Sequence, residues 1–181
     1  MRATTRREFV AGPAGKIECA VDEPASEARA GKDAARGVAL IAHPHPLFGG
    51  TLDNKVVQTL ARAFVELGYA AWRPNFRGVG ASEGRHDEGR GEVEDLAAVL
   101  RHLEAARPVL AGFSFGAAMQ AHLAQRVMPG RMVLVGVAVN NFDVPPVPAD
   151  TILVHGERDE TVPLAGVLAW EIGRASCRER V

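Results

Sequence analysis

Pro108-Val109-Leu110-Ala111-Gly112-Phe113-Ser114-Phe115-Gly116-Ala117-Ala118-Met119 is the stretch on which the reading of this chain turns. Its opening residues are apolar and strand-like, its closing residues begin a helical run, and between them stands Gly-x-Ser-x-Gly. That spacing has a steric meaning. A serine raised on a sharp strand-to-helix turn brings the residues two before and two after it against other backbone, so neither position tolerates a side chain. Gly112 and Gly116 have none. The turn presents the hydroxyl, and the helix N-terminus behind it favours developing negative charge. Ser114 is therefore read as a nucleophile rather than as a turn residue.

Working outward, apolar runs of strand length alternate with helical stretches. Strands are expected at 38–42, 70–74, 109–112, 132–139 and 151–155, and helices at 54–67, 92–106 and 115–127. The alternation predicts an α/β fold, a mostly parallel sheet with helices on both faces. Upstream, Phe9-Val10 and residues 17–21 flank Gly12-Pro13-Ala14-Gly15 and predict an antiparallel pair at one edge; residues 24–36 read as a surface connection. Only residues 141–150, with prolines at 145, 146 and 148, link the last two strands, which leaves no room for a lid.

A serine nucleophile needs amide donors for the oxyanion it creates. Phe115, directly after the serine, supplies one. The second is expected in His43-Pro44-His45-Pro46-Leu47-Phe48-Gly49-Gly50, after the first parallel strand. The two prolines have no N–H, which points to Leu47 and, next, to His45. His43 and His45 form an H-x-H pair, but no further ligand stands at supporting spacing, so they are read as shaping the loop through hydrogen bonds and no metal is expected.

Where a serine stands on such a turn, the acid of its triad follows a later strand and the histidine comes after the acid. Asp159 fits, in Leu153-Val154-His155-Gly156-Glu157-Arg158-Asp159-Glu160, and Glu157 and Glu160 are read as solvated neighbours. All six histidines, at 43, 45, 86, 102, 122 and 155, precede Asp159. His86 and His102 are read as surface residues and His122 as a helix residue behind the serine. The base is thus expected beyond Trp170, about 15 to 40 residues on, after a further helix and strand.

The chain of 181 residues, 47% hydrophobic, suits one domain with a substantial core. A net charge of −1 excludes the basic field of a nucleic-acid binder. Cys19 and Cys177 form no ligand cluster or disulfide framework. No leader-like or membrane-spanning apolar run is present, so a cytoplasmic protein acting on a small-molecule acyl substrate, without nucleic acid or membrane, is expected. Residues 171–181, Glu-Ile-Gly-Arg-Ala-Ser-Cys-Arg-Glu-Arg-Val, look like the translation of a sequencing-library adapter, so residues 1–170 are read as a single domain, incomplete at its C-terminus before the last helix and strand, and 171–181 as a non-native tail.

Taken together, residues 37–170 resemble the α/β-hydrolase superfamily, and within it the small lidless bacterial members related to dienelactone hydrolases. The resemblance rests on residues 43–50, on the Gly-x-Ser-x-Gly turn, on Gly156-Glu157-Arg158-Asp159, and on Asn75-Phe76-Arg77-Gly78-Val79-Gly80-Ala81-Ser82-Glu83-Gly84. The glycines of this last stretch are spaced one residue too far for a dinucleotide fingerprint, so no cofactor is expected. The resemblance implies a Ser-His-Asp serine hydrolase of esters or thioesters; separately, Arg73 or Arg77 is read as a residue that biases it toward anionic substrates. A peptidase of the same fold and a non-catalytic ligand-binding member are the alternatives.

Overall fold

The computed structural model describes residues 5–24 and 35–176, with side chains described as far as Glu171. Most of the expected surface connection, residues 25–34, lies outside them, as does 177–181 of the expected tail. Seven strands form one sheet: β1 (Thr5–Gly12), β2 (Gly15–Asp22), β3 (Val38–Ala42), β4 (Ala70–Pro74), β5 (Val109–Phe113), β6 (Arg131–Val135) and β7 (Ile152–Val154). Their spatial order is β1-β2-β4-β3-β5-β6-β7. The first two strands pair antiparallel around Pro13-Ala14 and join β4 antiparallel; every other pairing is parallel.

Burial explains why the parallel strands read as continuous apolar runs. Leu40, Ala42, Leu110, Met132 and Leu134 face one layer, and Ala39, Ile41, Val109 and Ala111 face the other. Helix α1 (Lys55–Glu66) covers the second layer with Val57, Ala61, Phe64 and Val65. Each such Val or Phe, fully buried, contributes about 2 kcal/mol. Asn54 starts the helix by accepting the Val56 amide at 2.9 Å. Helices α2 (Arg90–His102) and α3 (Phe115–Leu123) cover the first layer. The first turn of α2 is held by Glu92, wholly buried, whose carboxylate accepts the Asp87 and Gly89 amides at 3.0 and 2.9 Å.

Several boundaries differ from the sequence reading. β6 stops at Val135, four residues early, because Gly136 turns the chain at φ 52° and its amide goes instead to Val154. The β6–β7 connection then crosses without a helix, laying Val144 and Val147 on the core and receiving the Trp170 indole N–H at the Val144 carbonyl. Helix α4 (Leu164–Ser176) runs through Trp170 and across the expected start of the tail. On the α1 side of the β7 edge, Ile152 and Val154 are about half exposed.

Candidate active site

Strand β5 runs into α3 through Ser114, which adopts φ 54° and ψ −114°. A positive φ strains a residue bearing a Cβ and persists only where the surroundings impose it. They do so here. The Ser114 amide donates to the Val135 carbonyl at 2.9 Å, and its carbonyl accepts the Ala118 amide at 3.2 Å. A Cβ on Gly112 would stand 2.6 Å from the Gly116 carbonyl carbon, and one on Gly116 would stand 2.4 Å from the Ala42 oxygen. The Phe115 amide, in the first turn of α3, has no protein acceptor among the described residues.

The loop after β3 closes over this turn. Its Pro46–Phe48 segment is a single 3₁₀ turn, and the His45 ring packs 4.8 Å from that of Phe115. The Leu47 amide, expected as the second oxyanion donor, is donated to His45 Nδ1 at 3.2 Å. The His45 amide has no protein acceptor among the described residues. His43 is buried with both ring nitrogens engaged: Nε2 accepts the Phe76 amide at 3.0 Å, and Nδ1 lies 2.7 Å from the Pro44 carbonyl. Burial pushes its pKa down to about 4. The sequence reading of both histidines as loop-shaping residues matches these bonds.

Asp159 lies beyond the C-terminal end of β7, as the chain order requires. Its Oδ1 accepts the Thr161 and Val162 amides, both at 2.9 Å. Its Oδ2 has no protein partner among the described residues and points toward Gly136, 3.9 Å from where a Cβ there would stand. Glu157 and Glu160 are exposed. No histidine hydrogen-bonds to Ser114 or Asp159 among the described residues; His155 Nε2 is held 2.7 Å from the Val162 carbonyl.

Two sequence expectations are corrected. His86 is not a surface residue. Its side chain is 14% exposed, with Nδ1 2.8 Å from Glu92 Oε1 though out of line for a hydrogen bond, and its ring lies 4.9 Å from that of His45. Burial, and then the nearby His86, lower the His45 pKa. Nor is Arg73 open to an anionic substrate, and the charge of Arg77 is met within the protein. Arg73 is 4% exposed, paired with Asp22 at 2.8 Å and donating to the Leu52 carbonyl at 2.7 Å. Arg77 grips both Asp95 oxygens at 2.8 Å and the Gly91 carbonyl. The Asp95 hydrogen bond raises the Arg77 pKa, while burial raises that of Asp95 by more than the guanidinium lowers it. Only tertiary contact reveals these pairs, because the partners stand 51 and 18 residues apart.

Around the serine turn stand Phe115, Phe142, His45 and Phe48, with Leu47 and Phe48 69% and 85% exposed. A groove of about 730 Å³ between the starts of α2 and the flank of α3, lined by Gly89, Met119, Arg126 and Phe142, does not include Ser114. No helix among the described residues is long and apolar enough to cross a membrane.

The sequence model of the alpha/beta hydrolase family matches residues 22–179. A solved alpha-beta serine hydrolase homologue from Coxiella burnetii is 40% identical and superposes with a TM-score of 0.81 over 94% of this chain and 82% of its own. An a/b serine hydrolase without a lid from Xanthomonas campestris is 34% identical, with a TM-score of 0.80 over 94% of this chain and 79% of its own. An uncharacterized protein of Rickettsia prowazekii is 45% identical over 94 residues, 49% of this chain and 40% of that protein, so the chain matches less than half the length of that curated relative.

Proposed function

The chain belongs to the alpha/beta hydrolase family, and from that premise we propose that it is a serine hydrolase of carboxylic esters or thioesters with Ser114 as nucleophile. The observation that carries the reading is the imposed positive φ of Ser114, at 54°, on a turn whose two flanking glycines have no space for a Cβ. A backbone strained at one serine at the top of a parallel sheet is the expected form of a nucleophile held for attack.

Ser114 Oγ attacks the acyl carbon as its proton passes to an imidazole, the carbonyl oxygen becomes an oxyanion, and collapse expels the alcohol or thiol, which takes that proton. Water then repeats the sequence and frees the acid. The Phe115 amide is one oxyanion donor. The His45 amide is a better second donor than that of Leu47, which is already given to His45 Nδ1. Asp159, with Oδ1 fixed by two amides and Oδ2 unengaged, orients the imidazole. That imidazole is assigned to a histidine of the full-length protein beyond Trp170, since none of the histidines at 43, 45, 86, 102, 122 and 155 hydrogen-bonds to Ser114 or Asp159 among the described residues. Exposed Leu47 and Phe48 favour substrates with a small apolar acyl or alcohol group. Sequencing the gene past the codon for Trp170 tests the assigned base. Incubating the full-length protein with a fluorophosphonate tests the nucleophile: label is expected on Ser114, and label on another side chain with Ser114 untouched would sink the proposal.

A further inference from the structure

We infer that His43 is the positioning residue of the oxyanion loop, its Nδ1–H holding the Pro44 carbonyl so that the Pro44–His45 peptide turns the His45 amide toward the charge formed at Ser114. The inference rests on the assignment of Ser114 as nucleophile and carries it to a residue that touches neither substrate nor serine.

The tautomer follows from the donors around the ring. The Phe76 amide approaches Nε2 at 3.0 Å and can only donate, so Nε2 is the acceptor and the proton sits on Nδ1. Nδ1–H then donates to the Pro44 carbonyl at 2.7 Å. The ring itself cannot swing, being fully buried and packed edge-on to Phe76 at 4.6 Å. In a trans peptide the carbonyl and the following N–H point in opposite directions, and no peptide among the described residues is cis. Holding the Pro44 oxygen toward His43 therefore turns the His45 N–H away from His43, and that amide has no protein acceptor among the described residues.

Two further contacts act on the same peptide and its successor. A Cβ on Gly50 would stand 2.0 Å from the Pro44 oxygen, so the carbonyl occupies the space that any other residue at position 50 would need. The His45 carbonyl accepts the amides of Phe48 and Gly50, both at 3.1 Å. The loop is thus a built cradle in which, from residue 45 to residue 50, only the His45 amide lacks a protein acceptor among the described residues, and preorganised donors of this kind stabilise the transition state without reorganising.

The test compares the full-length protein with its Ser114→Ala, His43→Gln and His43→Asn variants in hydrolysis of p-nitrophenyl acetate, with folded fractions checked by circular dichroism. An asparagine amide stands where Nδ1 does and can still donate to Pro44, whereas glutamine reaches the Nε2 position and serves Phe76 alone. Expected are a kcat reduced about 100-fold in His43→Gln with KM within about threefold, and recovery to within about tenfold in His43→Asn. A folded His43→Gln protein with kcat within about threefold of the parent, while Ser114→Ala is inactive, overturns the inference alone. Turnover surviving Ser114→Ala overturns the nucleophile assignment instead. If His43→Gln does not fold, nitrogen NMR of His43 in the unsubstituted protein decides: a proton on Nδ1 supports the inference, and one on Nε2 overturns it.

Discussion

Gly116 lies against the carbonyl of Ala42, so close that a Cβ would stand 2.4 Å from the oxygen. The contact seats the first turn of α3 on the end of β3 and brings the serine turn beside the loop that follows that strand. Backbone cannot withdraw as a flexible side chain can. Gly116→Ala is expected to lower stability by about 3 kcal/mol, at the upper end for overpacking, and to abolish fluorophosphonate labelling of Ser114. An unchanged urea midpoint would contradict this packing.

Asp159 uses its two oxygens differently. Oδ1 ties the turn through Thr161 and Val162, and in the proposed mechanism Oδ2 is left for the base. Asp159→Asn keeps an oxygen for the turn but loses the charge. It is expected to cut kcat in the full-length protein by about 10³ to 10⁴ with little change in Tm. Asp159→Ala also frees two amides and is expected to unfold more easily by about 1 kcal/mol.

His43 links stability to pH. Burial lowers its folded pKa to about 4 from the ordinary 6.5. Above about pH 6.5 neither state protonates it and its stabilising effect is complete. Between 6.5 and 4 the unfolded chain takes up a proton that the folded chain refuses, so stability falls, by about 3 kcal/mol in all, with no further loss below 4. Urea unfolding at pH 7, 5.5 and 4 should show this slope in the parent protein and a shallower one in His43→Asn. Equal slopes would refute it.

Arg73 and Asp22 form a buried pair whose side chains are 5% and 10% exposed. Removing one partner strands the other charge, so Arg73→Met is expected to cost about 3 to 5 kcal/mol. The more conservative Arg73→Lys, measured on matched anionic and neutral esters, should leave their rate ratio unchanged. A shift of that ratio by tenfold would return Arg73 to the substrate site.

Ile152 and Val154 leave an apolar strip at the β7 edge. Ile152→Thr and Val154→Thr together are expected to raise the concentration at which the 181-residue chain stays monomeric, as read by light scattering, because exposed apolar edges promote association.

What could be read from residues alone was whatever neighbouring positions impose on one another. Apolar runs around Leu40 and Leu110 marked buried strands, Gly112 and Gly116 announced the turn at Ser114, and Gly156 marked the turn after β7 that carries Asp159. Each is a constraint between residues a few positions apart. The end of β6 was misjudged because Val137 and Ala138 are apolar for the sake of the core, not of the sheet.

Tertiary structure alone decided the rest. That Arg73 faces Asp22 across 51 residues, that the buried Glu92 reaches the His86 ring beside His45, and that His43 stands between Phe76 and the Pro44 carbonyl depend on which strands become neighbours. The sequence names the groups able to donate, accept or carry charge. Only the fold chooses their partners, because a buried polar group takes whichever complementary atom packing brings within hydrogen-bond reach.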